Sequence, residues 1–113
     1  IDDIMSTGGT IQAIAKDLYV KGYYQELYVA VTHAVLSPPA IERLSFLHES
    51  CGLKRFVFTN TIPQPESVLS LPFVEQIPLE KDLALAINRI HYEQSLREAF
   101  VDVLRKEKQA RLT

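Results

Sequence analysis

The chain has 113 residues, less than one average domain length, which sets a single compact unit as the prior and excludes a complete multidomain enzyme. Its 47% hydrophobic and 23% charged residues, with only four glycines and six prolines, exclude a disordered or collagen-like sequence. A net charge of -2 supplies no cationic field for a polyanion, so no nucleic-acid partner is expected.

The chain opens on Asp2-Asp3 and a turn rich in hydroxyls and glycine, Ser6-Thr7-Gly8-Gly9-Thr10. Ile11, Ile14, Ala15 and Leu18 then recur at i, i+3, i+4 and i+7, which predicts an amphipathic helix stopped by Gly22. Glu26 to Thr32 (ELYVAVT) is too short and too rich in Val and Tyr for a helix and reads as a buried strand. Ser37 as N-cap and Pro38 at the first helical position open a second helix through Ile41, Leu44 and Leu47, ending near Gly52. Arg55 to Thr59 predicts a strand, and Pro63 and Pro65 keep residues 60–67 as loop. Phe73 to Ile77 predicts a last strand, followed by a helix traced by Leu79, Leu83, Ala86, Ile87 and Ile90. Ser95 and Glu98 form a capping box for a final helix with Leu96, Ala99, Phe100, Val103 and Leu104 on one face, and residues 105–113 form a charged helical tail. Strands alternating with helices predict an α/β fold: a doubly wound, mostly parallel sheet flanked by helices.

The lone Cys51 rules out an internal disulfide and suits a reducing compartment, and no apolar run approaches the roughly 18 residues of a membrane span. A cytoplasmic location without a membrane partner is expected. His33 sits at a strand end without a nucleophile pattern and is expected to serve a loop hydrogen bond. His48 and His91 lack metal-ligand spacing, and Tyr19, Tyr23, Tyr24 and Tyr28 are expected to pack rather than to stack bases. Asn60 in its proline-bounded loop suits a turn or a ligand contact.

The opening segment carries the chemistry. In a doubly wound sheet ligands bind at the carboxyl ends of the strands. Two acidic residues leaving a strand are followed by a turn in which backbone N–H groups and the hydroxyls of Ser6, Thr7 and Thr10 converge on a helix N-terminus, with Gly8 and Gly9 free to take positive φ. That arrangement suits a phosphate. Asp2 and Asp3 would repel it, so their partners are hydroxyls or a divalent cation, and the loop reads as a receptor for a phosphorylated polyol such as ribose 5-phosphate. A P-loop is excluded because no Lys precedes the Ser/Thr. The other reading of the same residues is a tight turn with capping side chains and a solvated acidic pair.

DDIMSTGGT resembles the ribose-phosphate loop of type I phosphoribosyltransferases, commonly two acidic residues followed by T-G-x-T. THAVLSPPAIERL (32–44), TNTIPQP (59–65) and LALAINRIHYEQS (83–95) resemble, in order and spacing, the C-terminal half of the ribose-phosphate pyrophosphokinase (PRPP synthetase) family over about residues 1 to 100. The resemblance implies a ribose-phosphate diphosphokinase, which transfers diphosphate from Mg-ATP to ribose 5-phosphate, giving PRPP and AMP for nucleotide biosynthesis. It further implies Asp2 and Asp3 on the ribose hydroxyls, directly or through Mg²⁺, and Ser6, Thr7, Gly8, Gly9 and Thr10 on the 5-phosphate. The catalytic cations and most of the ATP site would lie on an N-terminal domain, so residues 1–113 are expected to be a single C-terminal, phosphoribosyltransferase-like fragment of a homo-oligomer. Ser6 stands where the family often has Asp, and Pro38 where S-G-P-A has Gly. Ser95 and Phe100 match a regulatory tail pattern, S-x-S-x-x-F, but Arg97 replaces its second serine, which speaks against ordinary ADP inhibition. A nucleobase phosphoribosyltransferase and a non-catalytic regulatory homologue are the alternatives.

Overall fold

The computed structural model describes Ile1–Leu112, apart from the side chains of Asp102 and Val103. The chain divides after Pro78 into two compact units, the second beginning at Leu79.

In the first unit, strands β1 (Asp2–Met5), β2 (Leu27–Ala34), β3 (Leu53–Thr59) and β4 (Val74–Ile77) form an all-parallel sheet in the order β1-β2-β3-β4. Helices α1 (Gly9–Val20), α2 (Ala40–Ser50) and the short α3 (Glu66–Leu69) connect them. The fold is therefore α/β, a parallel sheet flanked by helices, and the strand order does not reverse among the described residues.

Side-chain alternation decides where the core lies. Val29 and Val31 of β2 stand in register with Phe56 and Phe58 of β3, and all four are buried. Tyr28 and Arg55, also in register, are exposed. The buried face is covered by Ala40, Leu44 and Leu47 of α2, spaced to share one helix face, with Ala15 of α1 beside them. His48 stacks on Phe73 with ring centroids 4.5 Å apart and bonds through Nδ1 to the Leu53 carbonyl at 2.7 Å, so it is structural. Tyr19 packs on Tyr24, whose hydroxyl donates to the Ala15 carbonyl, whereas Tyr23 and Tyr28 are exposed and contribute no core packing. Cys51 is buried with a free thiol.

Element ends follow local rules. Gly22, at φ 77°, closes α1 with Gly22 N–H donating to Tyr19 O and Tyr23 N–H to Leu18 O, a Schellman arrangement. β2 extends two residues beyond the predicted Thr32, because His33 and Ala34 pair with Ile4 and Met5 of β1. The predicted start of α2 is wrong. Ser37 is not its N-cap and Pro38 is not helical; the cap is Pro39, at φ -98° and ψ 43°. A residue preceding proline is sterically kept out of the α region, so Pro38 cannot open a helix in front of Pro39. α3 falls within the predicted loop 60–67 and past its end; its four residues are too few to show a period.

The second unit holds α4 (Glu80–His91) and α5 (Leu96–Leu112). Ser95 immediately precedes α5, and the Glu98 carboxylate lies 4.0 Å from Arg89. Leu83, Ile87 and Ile90 share one face of α4 as their spacing predicts, and they are 55%, 67% and 64% exposed. On α5 Ala99 is buried, Phe100 is exposed, and Val103, expected on the same face, lies outside the described side chains. Residues 105–112 are helical and exposed, with Thr113 outside the described residues. No helix among the described residues is long and apolar enough to cross a membrane.

Candidate functional site

In a parallel sheet every strand ends at the same edge, so the β1–α1, β2–α2 and β3–α3 loops emerge side by side. The first of these lines a hollow of about 240 Å³ with Asp2, Ile4 and residues Met5 to Ile11, which brings together six of the seven residues expected of the sugar-phosphate site; the seventh, Asp3, does not line it. A more apolar hollow of about 310 Å³ beside it, between Ile14, Leu18, Tyr24 and Leu27, offers few polar groups.

Asp2 and Asp3 do not follow a strand; they are the first two residues of β1 itself. Pairing of Asp2 with Val31 draws them into the ladder. Asp2 Oδ1 accepts the Asp3 N–H at 2.8 Å, and Asp3 Oδ1 accepts the Ile4 N–H at 2.9 Å. Hydrogen bonding from the Asp2 side chain, then from the N–H groups of Asp3 and Ile4, holds the Asp3 carboxyl below its ordinary pKa, with a smaller attraction from His33. Among the described residues no three His, Cys, Asp or Glu side chains gather around a common point.

Gly8 is the N-cap of α1 in the left-handed region, φ 73° and ψ 9°, and no side chain caps the helix. The first intrahelical bond runs from Gln12 N–H to Gly8 O at 2.9 Å. Helix geometry therefore leaves the N–H groups of Gly9, Thr10 and Ile11 without intrahelical acceptors, at the positive end of the helix dipole. Gly9 does not share the positive φ expected of it; it is the first residue of the helix. Ser6, Thr7 and Thr10 are exposed.

Residues from the β2–α2 and β3–α3 sides also join this edge. Arg43, from the first turns of α2, donates from Nη1 to the Thr7 carbonyl at 2.8 Å. Ser6 Oγ donates to Ser37 Oγ at 3.4 Å. His33 Nδ1 and Thr61 Oγ1 are hydrogen-bonded at 2.8 Å, which is the loop role expected of His33, and Thr59 Oγ1 donates to Thr32 O at 2.6 Å. Arg43 had one signal in the sequence: a cation near a helix N-terminus opposes the dipole unless an acceptor elsewhere holds it. His91, by contrast, packs edge-on against Tyr92 in the second unit.

This architecture has relatives. The model of the phosphoribosyl synthetase-associated domain matches residues 1–101. A ribose-phosphate pyrophosphokinase of Nostoc sp. is 43% identical over 100 residues, 88% of this chain and 28% of that protein. The Bacillus subtilis ribose-phosphate pyrophosphokinase is 40% identical over 100 residues, again 88% of this chain and 30% of the relative. The crystal structure of phosphoribosylpyrophosphate synthetase from Mycobacterium smegmatis superposes with a TM-score of 0.70 at 33% identity, covering 81% of this chain and 29% of that one. The chain thus spans under a third of the length of these relatives. Its match to the family runs from the acidic strand through the β1–α1 loop and the whole sheet into α5, and the chain belongs to the phosphoribosyl synthetase-associated domain family.

Proposed function

We propose that this chain supplies the ribose 5-phosphate site of a ribose-phosphate diphosphokinase. The observation that carries the reading is the juxtaposition at the β1–α1 loop: uncapped helix N–H groups behind the left-handed Gly8, next to the Asp2-Asp3 acidic pair. A phosphorylated sugar matches both halves, its phosphate on the N–H groups and its hydroxyls on Asp2 and Asp3. The relatives' names favour this over a nucleobase phosphoribosyltransferase.

In this role Thr7, Gly8, Gly9 and Thr10 hold the 5-phosphate, with Ser6 at the rim. Asp2 and Asp3 orient the ribose and offer hard oxygen ligands of the kind Mg²⁺ takes, one or two carboxylates completed by substrate oxygens. When bound, Mg²⁺ supplies charge neutralisation. The chain's own residues fix the sugar so that its anomeric hydroxyl is presented to ATP, whose β-phosphorus accepts that oxygen as the bond to the AMP phosphate breaks. Most of the ATP site and the cations that stabilise the transferring group belong to the part of the protein upstream of this chain. The whole enzyme is a cytoplasmic homo-oligomer. Arg97, in place of a second serine, argues against a phosphate- or ADP-regulated site on Ser95 and Phe100.

Two substitutions test the reading. Thr7→Val removes a hydroxyl donor to a charged phosphate and is expected to weaken ribose 5-phosphate binding by roughly 1.5 to 3 kcal/mol. Asp3→Asn removes one negative charge from the sugar and cation side, with an expected loss of about tenfold or more. Calorimetric titration measures both, and unchanged affinity in both variants refutes the assignment.

A further inference from the structure

We infer that Arg43 is a positioning residue for the ribose 5-phosphate loop: from α2 it holds the Thr7 carbonyl and so keeps the Thr7-Gly8-Gly9 backbone with its N–H groups turned to the phosphate. The inference rests on the site proposed above and adds to it a group 36 residues away in the chain.

Arg43 is half-buried, and its Nη1 donates to Thr7 O at 2.8 Å. A peptide unit has its C=O and N–H on opposite sides, so fixing the Thr7 carbonyl toward α2 also fixes the direction of the Gly8 N–H. The same guanidinium limits what fits at the next residue. A Cβ on Gly9 would lie 3.0 Å from Arg43 Nη1, and one on Gly8 would lie 4.0 Å from Arg43 Cδ. The helix entrance therefore closes on Arg43 from two directions, a carbonyl that it holds and a glycine whose missing side chain makes room for it. The other ties of the loop to the β2–α2 segment lie before Thr7, at Met5 O, which accepts from Val35 and Leu36 N–H, and at Ser6 Oγ, so without the Arg43 bond the Thr7 carbonyl is less fixed, and an anion site built from backbone N–H groups loses strength when those groups are free to turn. The positive charge of Arg43 also adds to the dipole end of α1, in a segment that otherwise carries only the charges of Asp2 and Asp3.

The test is a calorimetric titration of the chain and its variants with ribose 5-phosphate in the presence of Mg²⁺, with the thermal midpoint measured alongside. Arg43→Met is expected to weaken binding about tenfold, the scale of one charge-assisted hydrogen bond, and Arg43→Lys, which keeps the charge and one donor, to recover affinity to within about threefold. Gly9→Ala pushes the guanidinium back by a few tenths of an ångström and is expected to weaken binding in the same direction but by less. The double variant is expected to bind no more weakly than Arg43→Met alone, since both changes act on one contact. Parental affinity in Arg43→Met overturns the inference, and so does a loss that follows the thermal midpoint and is not recovered by Lys. If Thr7→Val binds weakly while Arg43→Met binds normally, the site stands and only the role of Arg43 falls. If the parent chain itself does not bind ribose 5-phosphate, both fall.

Discussion

Alanine at Gly52 is expected to destabilise the first unit by about 4 kcal/mol or more, at the extreme of single-substitution effects. Gly52 sits at φ 72° between α2 and β3, where its carbonyl accepts the Leu27 N–H at 2.8 Å as β2 begins. A Cβ there would lie 2.2 Å from the Gln25 carbonyl oxygen and 3.2 Å from its carbon. Both are backbone atoms, so relief requires moving the entry of β2, which is paired on both sides within the sheet. Gly22 supplies the control. It has almost the same φ, 77°, and a Cβ there meets nothing within 4 Å, so Gly22→Ala is expected to cost only the left-handed penalty of about 1 to 2 kcal/mol. Urea unfolding of the two variants separates the terms. Equal losses contradict the close approach of the α2–β3 turn to the start of β2.

Valine at Gly8 is expected to abolish ribose 5-phosphate binding, with a loss of about a hundredfold or more. Gly8 is buried at φ 73°, where a β-branched residue is a genuine outlier. Its Cβ would meet the Met5 Cε at 2.4 Å. Met5 is a flexible core side chain and can yield at modest cost. The backbone conformation cannot, so the loop must abandon the left-handed turn that aims the first helical N–H groups outward. Gly9, by contrast, is already helical, and its substitution disturbs only Arg43. Calorimetry on folded Gly8→Val, checked by circular dichroism, reads the effect, and near-parental affinity contradicts the anion-loop account.

The parts of the fold legible in the sequence were those whose signal is local. The Ile11-Ile14-Ala15-Leu18 spacing located α1, and short Val- and Phe-rich runs located β2 and β3, because period and length act within a few residues. The start of α2 was misread because Ser37 and Pro38 match a favoured N-terminal pair, and the veto comes from Pro39 one residue later. The Asp2-Asp3 pair was placed after a strand because carboxylates have low strand propensity, and pairing with β2 outweighed it. α4 teaches a different lesson: the spacing of Leu83, Ile87 and Ile90 correctly marked a helix, yet those side chains remain more than half exposed, since periodicity defines a face without supplying its cover. The same division holds at the site. The hydroxyl and glycine loop was readable because it is contiguous. Arg43, Ser37 and the His33–Thr61 bond were not, because they reach the loop edge only once three parallel strands end side by side.

The most direct test of the central claim is a calorimetric titration of the chain with ribose 5-phosphate and Mg²⁺, with free ribose and inorganic phosphate as the comparison ligands. The account predicts saturable binding of ribose 5-phosphate that is much tighter than that of either half-ligand, because the acidic pair and the uncapped helix N–H groups recognise different ends of one molecule. Binding of inorganic phosphate as tight as that of the sugar phosphate, or no binding by a chain that is folded, would contradict it.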